Sequence, residues 1–262
     1  IVFNISSYIL YNLSNLLFVI LIPNSFSKLF LSNYSIASGI FIFFAFIYFS
    51  KKQILSEKFI MIISVISIFL FEFFNLNVYI IWLFTFLVIY SDYFFSQRKN
   101  YLINFFFKLL LFVSSLLLYD DYLSGFVVLK IKITIIILTL IYYDFFCKKY
   151  EVIFLKIKFP ITYTFLNSLV YFSSLYILTI LIPNNFLKIV YISFQILIGM
   201  QLKLFDLEVR NFKIKHKNIN RIFGFFSILY LFFLSIYTEL YSISVFYILV
   251  FLSLNFLKKK YI

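Results

Sequence analysis

The sequence predicts an all-α protein, a polytopic integral membrane helical bundle of about ten (8–10) transmembrane helices arranged as successive hairpins. Of its 262 residues, 64% are hydrophobic and 13% are charged, whereas soluble domains contain about 45–50% and about 25%. The apolar residues form long uninterrupted runs, and basic residues cluster after every second run. These observations exclude a soluble globular domain, and they exclude intrinsic disorder, which requires low hydrophobicity.

Each apolar run predicts one helix, because about 20 residues cross the roughly 30 Å of bilayer hydrocarbon. The predicted helices span residues 6–22, 34–50, 59–74, 77–95, 102–119, 124–146, 161–182, 186–205, 221–238 and 240–257. The loops between them are short, so we expect a single transmembrane domain over residues 1–262. We expect no sequence repeat.

The basic residues predict the topology. Most of the 23 lysines and arginines follow the even-numbered helices, whereas the opposite loops carry few charges. The positive-inside rule therefore places both termini and the basic loops on the cytoplasmic or matrix side of a bacterial or organellar inner membrane. The formal net charge of +13 is interpreted as contact with anionic lipid headgroups, and not with nucleic acid.

Four ionisable residues lie within predicted helices, where burial of a charge in hydrocarbon is costly. They are Glu72, Lys108, Lys130 and Lys132. Each either extends to the membrane interface or faces a polar interior. Lys108 lies deepest by sequence position, and both interpretations stay open for it.

Three predicted helices end on the basic side with a carboxylate followed by basic residues. The carboxylates are Asp92, Asp144, Asp206 and Glu208, and the basic residues are Arg98, Lys148, Lys149 and Arg210. One interpretation is an interfacial ion pair, for example between Asp206 and Arg210, which are one helical turn apart. The other is a metal–diphosphate site, in which carboxylates bind Mg²⁺ and basic side chains bind phosphate oxygens.

The order of these segments resembles the UbiA-type membrane prenyltransferase superfamily. Its members carry two Asp-bearing motifs at cytoplasmic helix ends and a Tyr/Lys-bearing segment between them. Ser91–Phe94 resembles the first motif, Tyr143–Lys149 the middle segment, and Asp206–Gly224 the second motif with the start of the next helix. The resemblance covers residues 59–257 as a UbiA-like core and leaves residues 1–58 as an extra N-terminal hairpin.

The resemblance implies Mg²⁺-dependent transfer of a polyprenyl group from its diphosphate to a lipophilic acceptor. Its implied metal ligands are Asp92, Asp206 and Glu208. The implied diphosphate-binding residues are Arg98, Lys149 and Arg210, and the implied catalytic residues are Tyr143 and Lys148. Membrane lipids and a prenyl diphosphate would be the partners.

The sequence also departs from the family pattern. Ser96 and Asn100 stand where the first motif carries further carboxylates, and Arg210 and Asn211 stand where the second motif usually carries acids. These departures leave a catalytically degenerate descendant as one expectation. The alternatives are a non-enzymatic subunit of a respiratory or other membrane complex, and a small transporter. An organelle-encoded subunit would suit the excess of residues encoded by AT-rich codons.

Overall fold

The computed structural model describes residues 2–50, 57–74, 76–96, 101–119, 124–146, 161–210 and 217–261. Within these ranges the chain forms ten α-helices and no strand, which confirms the all-α class. The helices are α1 (Val2–Leu21), α2 (Asn24–Ser50), α3 (Glu57–Phe73), α4 (Asn77–Ser96), α5 (Tyr101–Leu116), α6 (Gly125–Phe146), α7 (Ile161–Leu181), α8 (Asn184–Arg210), α9 (Lys217–Thr238) and α10 (Ser242–Tyr261).

The largest departure from the predicted boundaries is at α2, which begins at Asn24 and not at residue 34. The polar residues in this stretch, including Ser27 and Asn33, resemble a loop by composition. In the structure their side chains bond to backbone carbonyls of the same helix. The Ser27 hydroxyl donates to the Asn24 carbonyl (2.8 Å), and the Asn33 amide donates to the Leu29 carbonyl (2.9 Å). Local side-chain bonding of this kind lets polar residues continue a helix.

One stretch of the described chain, Gly125–Tyr143 in α6, is both long and apolar enough to cross a membrane. Shorter apolar stretches occur in α3, α4, α5, α7, α8, α9 and α10. Their lengths by themselves do not establish that they span a bilayer.

The chain divides into two compact units, residues 1–158 and residues 159–262. In the first unit, α1 packs mainly along α5 and α2 packs along α4, while α6 contacts α3, α4 and α5. Helices adjacent in sequence are therefore not always the main packing partners here. In the second unit, α7, α8, α9 and α10 form a ring in which each helix contacts the next and α10 contacts α7.

Aromatic rings fill much of the first unit's core. The Phe18 ring of α1 lies 4.9 Å from that of Phe30 on α2 and 6.3 Å from that of Phe84 on α4. The Trp82 indole on α4 donates to the Asn33 side-chain oxygen on α2 at 3.1 Å. At the start of α6, Gly125 leaves room for the Phe26 ring of α2. These contacts join α1, α2, α4 and α6 through large apolar surfaces.

Hydroxyl groups connect the helices of the second unit. The Ser193 and Tyr230 hydroxyl oxygens of α8 and α9 lie 3.1 Å apart. Ser244 on α10 donates to the Ser235 hydroxyl on α9 at 2.8 Å. Such bonds between small polar residues are common between helices packed in an apolar environment.

Two hairpin turns, one in each unit, share a sequence and a structure. Residues 20–24 and 180–184 both read Ile-Leu-Ile-Pro-Asn, and each run is followed by Phe and then Lys at the same spacing. Pro23 and Pro183 accept the amide of the Phe three residues later at 3.0 and 3.1 Å. The expectation that the chain has no repeat was therefore wrong, because this one is short and confined to a turn and its flanking residues.

Candidate functional site

The first two candidate segments lie at neighbouring helix ends in the first unit. Phe94, near the C-terminal end of α4, contacts Tyr143, near the C-terminal end of α6, with ring centroids 5.2 Å apart and nearly perpendicular planes. Asp92 lies two residues before Phe94, and Asp144 directly follows Tyr143. The packing of α4 on α6 thus brings the backbones of these two segments to one end of the unit.

Tyr143 is buried at this contact, with 2% of its surface exposed. Phe94 is equally enclosed, and Ser91 on the preceding turn donates its hydroxyl to the Val88 carbonyl at 2.9 Å. Edge-on aromatic contacts of this type stabilise helix packing. Tyr143 therefore lies in the interface between α4 and α6. Its catalytic role stays a prediction.

The third candidate segment lies in the second unit, where α8 stays helical through Arg210. Successive helical residues turn by about 100°, so positions 206 and 208 lie about 200° apart around the helix axis. Asp206 and Arg210 instead occupy the same face, since they are four residues apart. The helix therefore offers one carboxylate per face, and not a pair on one side.

The remaining candidate residues lie outside what the structure describes. Arg98, Lys148 and Lys149 fall outside the described ranges, and for Asp92, Asp206, Glu208 and Arg210 only the helical backbone is described. The described side chains contain no group of three or more His, Cys, Asp or Glu residues that could hold a metal ion. The predicted metal and diphosphate ligands thus remain predictions.

A second polar site lies inside the first unit, centred on Lys132 of α6. Its ammonium nitrogen donates to the Leu111 carbonyl (2.7 Å) and the Ser115 hydroxyl (2.7 Å) of α5, and to the Ser14 hydroxyl (3.4 Å) of α1. It also lies 5.1 Å from the centroid of the Phe18 ring, within range of a cation–π interaction. Lys132 thereby joins three helices through its three hydrogen-bond donors.

Two of the four ionisable residues within the predicted helices, Lys108 and Lys132, are buried. Only 2% of the Lys132 surface and 2% of the Lys108 surface are exposed, whereas Lys130 is half-buried. The Lys108 nitrogen lies 5.1 Å from the neighbouring Phe107 ring. Glu72 lies in α3, but its side chain is outside the described set. The sequence left two interpretations for Lys132, a side chain that extends to the membrane interface and one that faces a polar interior. The burial of its nitrogen among three helices favours the polar interior.

Sequence reasoning placed Lys132 in a helix but did not find its partners. Ser14 and Ser115 lie far from it in sequence, and serine is common throughout the apolar runs. Their small polar side chains within helices α1 and α5 are the available signal. That signal becomes informative only when the pairing of α1 with α5 is known.

No protein-family model, no curated protein and no solved structure matches the chain.

Proposed function

We propose that the chain is a polytopic integral membrane protein with its basic loops on the cytoplasmic or matrix side. The supporting observation is the amount of apolar surface that both units leave exposed. On α3, Phe69 and Phe73 are 72% and 80% exposed, and on α9 Phe225, Phe226 and Phe233 are each largely exposed. Monomeric soluble proteins rarely expose apolar patches larger than a few hundred Å², and lipid would cover these faces.

Within that bundle we propose a divergent prenyltransferase site at the basic ends of the helices. One observation carries this proposal, namely the contact between Phe94 and Tyr143 that joins the ends of α4 and α6. A diphosphate needs carboxylates and cations gathered at one helix end, and this contact brings together the backbones next to Asp92 and Asp144. The segment of α8 that carries Asp206 ends its helix in the corresponding way, within the second unit.

Mg²⁺ suits the donor chemistry, because it is often held by one or two carboxylates together with substrate phosphates and water. In the first unit Asp92 on α4 would supply such a carboxylate, and in the second unit Asp206 or Glu208 on α8 would supply one. When bound, the ion would stabilise negative charge on the leaving diphosphate. Arg98, Lys149 and Arg210 would bind phosphate oxygens, Lys148 would add positive charge beside the departing group, and Tyr143 would help to hold the end of α6 against α4.

The test is binding of a radiolabelled prenyl diphosphate to the purified chain in detergent, with and without Mg²⁺. Asp92→Ala and Asp206→Ala are each expected to weaken Mg²⁺-dependent binding about tenfold or more, since each removes a charged ligand. Lys28→Ala is the matched control, because Lys28 is exposed in the first turns of α2, beside the turn between α1 and α2 and away from the ends of α4 and α8. Binding that ignores Mg²⁺ and both Asp substitutions would contradict the proposal.

The second candidate function is that of a non-enzymatic subunit in a membrane complex. The burial of two lysines, Lys108 and Lys132, favours it, because ionisable residues at membrane depth often serve ion or proton movement. Co-purification of the chain in mild detergent distinguishes the candidates. A stable complex with other membrane proteins, together with no binding of prenyl diphosphate, would support the subunit.

A further inference from the structure

We propose that Lys132, Ser14 and Ser115 form a buried proton-binding site in which the lysine amine gains and loses a proton while the protein stays folded. The site lies where α1, α5 and α6 meet. This inference does not depend on prenyl transfer, since it involves a different part of the first unit. It assigns a ligand, the proton, to a cluster that no other feature of the chain explains.

The position of Lys132 is the first argument. It lies near the middle of Gly125–Tyr143, the one described stretch that meets the length and composition needed to cross a membrane. Its side chain is 2% exposed, and Ser14 and Ser115 are equally enclosed. About two helical turns lie between Gly125 and Lys132, and about three between Lys132 and Tyr143.

The chemistry of its partners is the second argument. The described partners of Lys132 are all uncharged, namely the Leu111 carbonyl, the Ser14 and Ser115 hydroxyls and the Phe18 ring. A lysine held permanently charged in a protein interior is usually paired with a carboxylate. Among the described contacts of Lys132 there is none, so its charge is not fixed by an ion pair.

The cluster can satisfy both protonation states, which is the third argument. As an ammonium group, Lys132 donates its three N–H bonds to the three oxygens. When the proton leaves for water, the neutral amine keeps two N–H donors and gains a lone pair. A serine hydroxyl can donate to that lone pair by rotation, since hydroxyls act as donor or acceptor. The single hydroxyl hydrogen of Ser115 has two alternative carbonyl acceptors, Leu111 at 3.1 Å and Ser14 at 3.3 Å.

Other ionisable groups on the surrounding helices are few. Lys108 lies on α5, two turns before Ser115, and is itself buried, while Lys130 lies on α6 and is half-buried. Tyr79 and Tyr90 on α4 and Tyr142 and Tyr143 on α6 complete the described ionisable side chains of α1, α4, α5 and α6. The carboxylates of the first unit have side chains outside the described set.

The experiment follows the side-chain nitrogen directly by NMR, using protein labelled with ¹⁵N at the lysine side chains in detergent micelles. Lys132→Met assigns the resonance, and Lys130→Met is the matched control on the same helix. We expect one resonance, absent only from Lys132→Met, to move reversibly between the ammonium and amine positions below about pH 10, where exposed lysines stay charged. The rest of the spectrum should retain the folded pattern throughout.

Ser115→Ala provides a second readout that a purely structural role would not change. Removing this hydroxyl weakens the ammonium form more than the amine form, because bonds from a charged donor are the stronger ones. The midpoint of the Lys132 titration should therefore move to lower pH by about half a unit to one unit. Ser27→Ala is the matched control, because the Ser27 hydroxyl is also buried but bonds within α2, to the Asn24 carbonyl, and it should leave the midpoint nearly in place.

Three results would overturn the proposal. One is a Lys132 resonance that keeps the ammonium position over the whole range, which would make the residue a permanently charged link between helices. Another is a resonance that keeps the amine position throughout. The third is a change of position only when the protein unfolds. If Lys132→Met fails to fold, Ser115→Ala and Ser27→Ala still decide the outcome, since only Ser115 should affect the titrating resonance.

Discussion

Gly125 shows how a single missing side chain shapes the first unit. A Cβ atom at this position would lie 2.4 Å from the Phe26 ring, far closer than ordinary contact. Phe26 has little freedom to move, because its ring is already packed against Phe126 at 4.6 Å and near Phe30 at 5.9 Å. The glycine therefore allows α2 and the start of α6 to approach closely.

We expect Gly125→Ala to lower the free energy of unfolding by about 1–3 kcal/mol, the usual cost of overpacking a core. Thermal unfolding of the purified protein in detergent measures the effect. Gly199→Ala is the control, since its nearest neighbour would be the Tyr171 hydroxyl at 3.8 Å and alanine favours the helix. Equal melting temperatures for the two variants would contradict the assignment.

At the residue scale, the sequence could not predict which side chains are buried, because it does not show which residues of other helices they contact. The sequence places Lys108 and Lys132 inside helices, but burial depends on which helix lies opposite. Ser14 and Ser115 become partners of Lys132 only because α1 packs along α5. Long-range pairing of this kind leaves no local pattern in a chain whose helices are apolar on most faces.

At the scale of elements, the interface between α2 and α4 combines a hydrogen bond with aromatic contacts. The Trp82 indole of α4 donates to Asn33 of α2, and the Phe41 ring of α2 lies 6.1 Å from the Trp82 ring. Trp82 is the only tryptophan in the sequence. Its fluorescence therefore reports this helix pair alone.

Asn33→Ala should lower the free energy of unfolding by about 0.5–1.5 kcal/mol, because it removes one hydrogen bond between helices. It should also change the emission wavelength of Trp82 in the folded state. Ser32→Ala is the control, since the Ser32 hydroxyl bonds only within its own helix, to the Leu29 carbonyl. An unchanged emission spectrum in Asn33→Ala would show that the bond does not form in solution.

Helix existence was predictable from the sequence, and helix boundaries were less so. Apolar runs of about 20 residues identified all ten described helices, because hydrophobicity is strong and continuous in each. The first turns of α2 and the last turn of α8 were missed, since both contain polar residues that resemble loops by composition. The extra turn of α8 matters for the candidate site, because it places Asp206 and Arg210 on the same face of the helix.

At the scale of the whole molecule, the distribution of charge makes a prediction about membrane orientation. The turn between α9 and α10 carries Glu239 in the left-handed backbone conformation, with φ of 56°, and its side chain is exposed. Lys258 lies at the other end of α10, in a basic cluster. The positive-inside rule places these two ends on opposite sides of the membrane.

We expect a membrane-impermeant thiol reagent to label Glu239→Cys in intact cells and to label Lys258→Cys only after permeabilisation. Both substitutions are made with Cys147 replaced by serine, so that a single thiol is present. In a bacterial host, the expected labelling pattern depends only on α10 crossing the membrane, and not on how α10 packs against other helices. Equal labelling of both positions before permeabilisation would contradict the topology.

The candidate site could be predicted in part at this scale. The sequence placed three carboxylate-bearing segments at helix ends on one side, and the structure brings the backbones of two of them together through α4 and α6. It could not show that α8 belongs to the second compact unit. Division into units depends on the sum of many helix contacts, which composition and periodicity do not specify.

The pairing of α1 with α5 has a consequence for how the protein is made. Ribosomes add about 5–20 residues per second, so α1 leaves the ribosome several seconds before α5, which begins at Tyr101. During that interval α2, α3 and α4 are synthesised while the main packing surface of α1 has no partner. The surface of α1 that packs on α5 therefore stays uncovered until α5 has been synthesised. In the second unit, where neighbouring helices pack directly, each new helix can assemble on the one synthesised just before it.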